Sequence, residues 1–276
     1  DTNIGRAFIM REARLAAELN ESITAQISYA KNQKFLVGCS GWFYWHWRGD
    51  FYPLEMPTSK WFSHYTKHFK TVELNAPFYS WPTLGTINTW RKQAGRRKVI
   101  YTVKVSELIT HVKRFKRTKQ LVLDFSYIAD LLGPYFGCFL FQLPPSYHYA
   151  PARLKTILSQ LDHTRRNVVE FRHKSWWNES VYKAFRKTGT IFCSCSGPRL
   201  PDELVNTADD IYIRFHGTKQ WYRHDYSKDE LALWVKRIKA SKAKRIWAYF
   251  NNDRNVYSIK NAKELMRQLK QRGSTS

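Results

Sequence analysis

The residues of this sequence best suited to chemistry are two acids and three cations, each set in a short β-rich run. Glu73 stands in Thr71–Asn75, Lys104 in Val99–Val105, Glu170 and Arg172 in Val168–Arg172, and Arg214 in Ile211–His216. For proton transfer the candidates are Glu73, Glu170, His173 and His216, the last placed beside Gly217 just past a strand. Lys104, close to acids, suits charge pairing, or the work of a base or a Schiff-base nucleophile. Two carboxylates thus face three cations plus His216 and His173. A divalent-metal cluster wants an excess of carboxylate or neutral imidazole. A positive surplus fits a phosphate or carboxylate ligand better. Glu170 with His173 is the pairing left for a single metal; the expectation is that the protein needs neither metal nor cofactor.

These groups converge only if the elements aim them. After Lys34, short β-rich runs alternate with longer amphipathic ones. Strands are expected at Phe35–Cys39, Thr71–Asn75, Val99–Val105, Cys138–Leu143, Val168–Arg172, Thr190–Cys195, Ile211–His216 and Arg245–Asn251. Helices are expected at Thr58–Phe69, Pro82–Gln93, Lys119–Leu132, Ala152–Leu161, Glu179–Lys187, Lys228–Ser241 and Ile259–Gln271. Only the link near Pro198–Val205 is too short for one. Pro82, Pro151 and Ser227 mark helix starts. Strand–helix alternation means parallel pairing, as a closed barrel or an open doubly wound sheet. No Gly-x-Gly-x-x-Gly follows the first strand, which lowers the open dinucleotide-binding reading. The fold class is therefore α/β, a parallel (β/α)8 TIM barrel. Residues 1–34 form an N-terminal helical extension and 35–272 the barrel domain.

Side chains alternate along a strand, so one face packs on helices and the other points inward. Val72 and Leu74 send Glu73 and Asn75 inward. Tyr101, Val103 and Val105 do the same for Thr102 and Lys104, and Phe139, Phe141 and Leu143 for Gln142. Val169 and Phe171 leave Glu170 and Arg172; Ile211, Ile213 and Phe215 leave Arg214 and His216; Ile246, Ala248 and Phe250 leave Asn251. All fall towards the C-terminal strand ends, where barrel enzymes keep their sites. The alternative is an ion network that satisfies itself, although desolvation offsets much of what such a network gains.

Rim residues extend the set. The loop His111–Lys119 carries five cations around Phe115, suited to a phosphate backbone and a stacked base. Trp42, Phe43, Tyr44, Trp45 and Trp47, then Phe78, Tyr79 and Trp81, then Trp176 and Trp177, then Trp221, Tyr222 and Tyr226 follow successive strands; they suit packing and also flat walls for a sugar or a base. The whole chain has 46 Lys and Arg against 22 Asp and Glu, a net charge of +24, which draws polyanions or reflects a solvated basic surface. No apolar run is long enough for a transmembrane helix, and the start does not read as a secretory signal. Four cysteines lie in apolar strands without zinc spacing, fitting reduced thiols in a cytoplasmic protein.

Several longer motifs resemble the YecE-like family, also called domain of unknown function 72. They are Gly38-Cys39-Ser40-Gly41-Trp42, Trp47-Arg48-Gly49, Phe51-Tyr52-Pro53, Thr71-Val72-Glu73-Leu74-Asn75, Phe78-Tyr79, Val103-Lys104-Val105, Ile109-Thr110-His111 and Phe141-Gln142-Leu143-Pro144-Pro145. Val169-Glu170-Phe171-Arg172-His173, Ser175-Trp176, Arg214-Phe215-His216-Gly217 and Tyr249-Phe250-Asn251-Asn252-Asp253 complete the series. The resemblance spans Phe35 to Leu269 and implies a TIM barrel of unassigned activity. A distant likeness of that family to barrel nucleases of the endonuclease IV kind implies nucleic-acid binding by fold analogy alone. It adds Asp253 to a ligand set of Trp42, Tyr79, His111, Gln142, Arg172, His173, Trp176, Arg214 and Asn251. The catalytic candidates are Glu73, Lys104, Glu170 and His216. Where the family commonly has Asp-Ser-Pro-Arg, this chain has Ser196-Gly197-Pro198-Arg199. That removes an acid and weakens any mechanism that needs one there.

The leading functional expectation is an anionic, phosphate-containing ligand, nucleic acid included, bound at the C-terminal barrel mouth by a binding protein or hydrolase. The alternatives are a small-molecule enzyme acting on a sugar-like or carboxylated substrate, and a non-catalytic interaction protein. No membrane partner is expected, and the sequence leaves the oligomeric state open.

Overall fold

The computed structural model describes residues 35–241 and 243–270; the expected helical extension and the end of the chain lie outside them. Eight strands are present: β1 (Phe35–Cys39), β2 (Thr71–Leu74), β3 (Ile100–Lys104), β4 (Phe136–Gln142), β5 (Asn167–Glu170), β6 (Ile191–Ser196), β7 (Asp210–Phe215) and β8 (Arg245–Phe250). They form one parallel sheet in the order β1-β8-β7-β6-β5-β4-β3-β2. The intervening helices are α1 (Trp61–His68), α2 (Leu84–Arg97), α3 (Lys119–Leu132), α4 (Pro151–Gln160), α5 (Glu179–Thr188), α6 (Lys228–Ala240) and α7 (Tyr257–Lys270). The fold class is thus a (β/α)8 barrel of the TIM type. Among the described residues no helix is long and apolar enough to cross a membrane.

Helix starts follow local chemistry. Ser227 caps α6 by accepting from Glu230 N at 3.1 Å, while the Glu230 carboxylate accepts from Ser227 N at 2.7 Å, a reciprocal capping box. Pro151 is the first residue of α4, as expected. Pro82 is not in the first turn of its helix. Thr83 is the cap of α2, accepting from Thr86 N at 3.2 Å, so the proline lies one residue outside.

Contacts divide the chain into two compact units, one containing Leu74–His173 and the other Lys34–Glu73 with Lys174–Ser276. In the first, β4 pairs in parallel with both β3 and β5. The outward Tyr101 of β3 donates to Trp90 O of α2 at 3.2 Å. In the second, β8 lies between β1 and β7, and β7 pairs with β6. The outward Phe215 of β7 stacks on Phe250 of β8 at 4.3 Å and meets Trp234 of α6 edge-on at 5.3 Å. The expected alternation holds here: the outward face packs on helices and leaves the other face for polar groups.

β1 and β2 stand at the two ends of the strand order, and a side chain ties them. The Tyr65 hydroxyl of α1 donates to Thr71 O of β2 and accepts from Cys39 N of β1, both at 2.9 Å. The approach needs a glycine, because a Cβ on Gly38 would lie 2.3 Å from Thr71 O. All four cysteines are buried and outside any disulfide; Cys193 and Cys195, two apart on β6, bring their sulfurs to 3.8 Å.

Candidate functional site

In the unit holding β1, β2 and β6–β8, Glu73 is the hub. It is fully buried, and its carboxylate accepts from the Tyr212 hydroxyl at 2.5 Å, from Arg214 Nη2 at 2.5 Å and from the Ser40 hydroxyl. Arg214 Nη2 also donates to Ser40 Oγ at 3.1 Å. Three donors on one carboxylate replace the water that burial removes, and the arginine balances its charge. Tyr212 itself is held protonated, since burial and the adjacent Glu73 carboxylate both push its hydroxyl well above the usual range. Glu73 and Arg214, read from alternation, meet as expected. Ser40 and Tyr212 were missed: Tyr212 shares its parity with Arg214, but an aromatic in a strand reads as packing.

Just past the end of β7, His216 is fully buried, with Asn251 Nδ2 lying 3.3 Å from its Nδ1. Its backbone N–H donates to Ser196 O at 2.8 Å. Ser196 accepts at its hydroxyl from Tyr226 at 2.8 Å. Asp253 receives Trp47 Nε1 at 2.7 Å and the Ser258 hydroxyl at 3.1 Å, with His46 Nε2 3.0 Å away. Burial raises its carboxyl above the ordinary range, opposed by His46 and these donors. It joins the turn Trp45–Trp47 to the first turn of α7. Trp42 is half-buried against Phe62 at 4.7 Å. Trp176 has no exposed surface and is a core residue here.

In the unit holding β3–β5 the balance is different. Lys104 ends β3 with its ammonium 3.8 Å from the centroid of the Phe78 ring. Phe78 in turn meets the His111 ring edge-on at 5.0 Å. Arg172, just beyond β5, pairs through Nε with the fully buried Glu170. His111 Nδ1 lies 2.9 Å from the Thr110 hydroxyl. Burial and then the charges of Lys104, Arg172 and Arg114 push the His111 imidazole down to about 4, with Glu170 opposing. The ring is therefore neutral at pH 7 and sits in a positive field. Gln142 donates to Leu143 O at 3.1 Å. His173 stacks on His148 at 3.8 Å. Tyr79 is 73% exposed, beside Phe78 rather than over the cluster.

One expectation for the basic loop is overturned. Phe115 does not present a face for a base: it is fully buried, 5.5 Å from Phe141. Arg114, Phe115 and Arg117 take left-handed backbone conformations, winding the loop so that the ring turns in while Lys113, Arg114, Lys116, Arg117 and Lys119 stay exposed. A residue inserted into an apolar core is better placed than one left in water by about 2–3 kcal/mol for a phenyl ring, which decides the direction of the turn.

Eight parallel strands with helices between them define a TIM-type barrel. Residues 36–276 match the family described as "Protein of unknown function DUF72", and the chain belongs to that family. It is 25% identical over 274 residues to UPF0759 protein YunF of Bacillus subtilis, covering 84% of this chain and 94% of that protein. Among solved structures it is similar to a DUF72 family protein of Thermotoga maritima, with a TM-score of 0.77 and 24% identity, covering 87% of this chain and all of the other. A DUF72 family protein of Enterococcus faecalis gives a TM-score of 0.71 at 16% identity. These two structures speak for the fold alone.

Proposed function

We propose that this protein binds an anionic, phosphate-bearing ligand through Lys104, His111, Arg114 and Arg172. The observation that carries the reading is the His111 ring, whose proton affinity is depressed by burial and by three cations against one carboxylate. An imidazole so placed reports local positive potential, and an anion is the ligand such a potential favours. Lys104 supplies a point charge and Arg172 a planar fork, two complementary ways to hold phosphate oxygens. The exposed cations of the following loop suit a larger polyanion, nucleic acid included, by the same electrostatics. If the ligand is a phosphate ester to be hydrolysed, neutral His111 is the base available at pH 7, with Glu170 holding Arg172 in place.

The test is a histidine NMR titration with and without inorganic phosphate. Phosphate should raise the His111 pKa by at least about one unit, because a neighbouring anion favours imidazolium. An unchanged titration in saturating phosphate would remove the proposal. For the polyanion form, nucleic-acid binding must weaken steeply as salt rises; binding that ignores salt excludes it.

A further inference from the structure

A second site lies in the other unit, beyond β6 and β7. The loops that follow these strands border an open groove of about 630 Å³ lined by Pro198, Arg199, Thr218, Lys219, Gln220 and Trp221. That volume falls in the range of small-molecule sites, roughly 300–1,000 Å³. The lining holds two cations and no carboxylate.

The groove is built rather than incidental. Its aromatic wall, Trp221, lies over the Gly197 backbone, where a Cβ would come within 2.9 Å of the indole; only glycine lets the ring settle there. On another side the indole meets the buried His216 ring at 5.4 Å. The loop bearing it is pinned by Tyr222 N donating to His216 O at 2.6 Å, with Tyr222 itself in a left-handed conformation. Arg199 also has positive φ, at 63°, a backbone state that costs a non-glycine residue energy and concentrates at functional sites. Thr218 is fixed by His224 Nε2 at 3.1 Å and Glu230 Oε1 at 3.3 Å from its hydroxyl.

We infer that this groove is a binding site for a nucleoside monophosphate, with Arg199 and Lys219 on the phosphate and the base stacked on Trp221. Two cations from separate loops match a phosphate dianion. A flat indole matches a base of any sequence, because every base offers a π-face. Gln220 adds a carboxamide for the polar edges of the sugar or base. The lining thus joins cations for the phosphate to an aromatic ring for the base. The proposal does not depend on the Lys104 cluster.

The experiment is calorimetric titration of the full chain with AMP, adenosine and inorganic phosphate in parallel. AMP should bind at least about tenfold more tightly than either fragment. Trp221→Leu should bring AMP down to the level of phosphate, and Trp221→Phe should retain most of the difference because a ring remains. Arg199→Asn, which tolerates the left-handed backbone, and Lys219→Gln should each weaken AMP and phosphate together. Lys155→Gln, a change at an exposed cation of α4, should leave AMP binding intact, whereas AMP affinity lost in Lys104→Met but kept in the Arg199, Lys219 and Trp221 variants would assign AMP to the Lys104 cluster and overturn the inference. AMP no tighter than phosphate would overturn the inference, as would AMP affinity unchanged in the Arg199, Lys219 and Trp221 variants. A single-stranded DNA oligomer held by the same three residues far more tightly than AMP would also overturn it, by assigning the groove to a strand.

Discussion

Around Glu73, one carboxylate is met by a serine, a tyrosine and an arginine, all buried. Around His111, three cations outnumber one carboxylate and the imidazole loses its proton. Glu73 and Arg214 in one cluster, and Lys104, Glu170 and Arg172 in the other, were read from the same alternation of polar and apolar residues, while His111 came from the loop after the third strand. Their balance separates them. A carboxylate that meets its own cation and two hydroxyl donors holds strands in place. A cation-rich cluster beside a half-buried neutral imidazole holds potential that a ligand can answer. The self-satisfied network weighed from the sequence thus describes Glu73 and Arg214, while the anion-binding proposal rests on Lys104, His111 and Arg172.

The largest effect should come from breaking the balanced cluster. Glu73→Gln keeps the volume and removes the charge, leaving the Arg214 guanidinium buried without its carboxylate. Removing one partner of a buried pair costs about 3–5 kcal/mol, and urea unfolding should show that loss. A change below about 1 kcal/mol would mean that the pair carries no such structural role. Tyr212→Phe should cost less, about 1.5–3 kcal/mol, the worth of one hydrogen bond to a charged acceptor. If Tyr212→Phe proved as damaging as Glu73→Gln, the hydroxyl rather than the arginine would be the main support.

The reach of the sequence can be judged from these same residues. Strand bounds fell within two residues of those observed, and α3 matched at both ends, because period-two and helical patterns are strong where one face is apolar. Alternation placed Glu73, Lys104, Glu170, Arg172 and Arg214 on shared faces. It could not find Tyr212, since a tyrosine counts as apolar in a pattern and as a donor in a structure. Ser40 lies past the end of β1, where alternation gives no face. Phe78 and Phe115 show a different limit. Both were read as rim aromatics, yet one lies under Lys104 and the other is core. Loop conformation decides this, and three left-handed residues in a row of basic ones carry no composition signal.

On the cation-rich side, Lys104→Met should cost less stability than Glu73→Gln while changing the electrostatics more. Methionine keeps the apolar contact with Phe78 and removes the charge. The His111 pKa should rise from about 4 towards its usual range, since Lys104 is the largest of the charges depressing it. Phosphate should then shift that pKa less than in the unaltered protein. An NMR titration of the variant checks both. A His111 pKa unmoved by Lys104→Met would leave the depression to burial and the two arginines and remove Lys104 from the cluster's potential.

The smallest effect is a slope against pH. His111 takes its proton near pH 4 when folded and near its ordinary value of 6.5 when unfolded. Between those values the unfolded chain binds more protons, so stability must rise with pH there. The contribution is fully present above about pH 6.5, declines as pH falls through the window, and adds no further slope below about pH 4. The ring is half-exposed, so solvent screening holds the total to roughly 1–2 kcal/mol. His111→Gln removes the titrating group and should flatten this part of the curve. Inorganic phosphate should flatten it in the unaltered protein, because a bound anion lifts the folded-state pKa towards the unfolded one. Urea midpoints at pH 4.5, 5.5 and 6.5, with and without phosphate, measure both. If the slope survives His111→Gln, other carboxyl or imidazole groups dominate that window, and the positive potential assigned to this cluster is too weak to govern its own histidine.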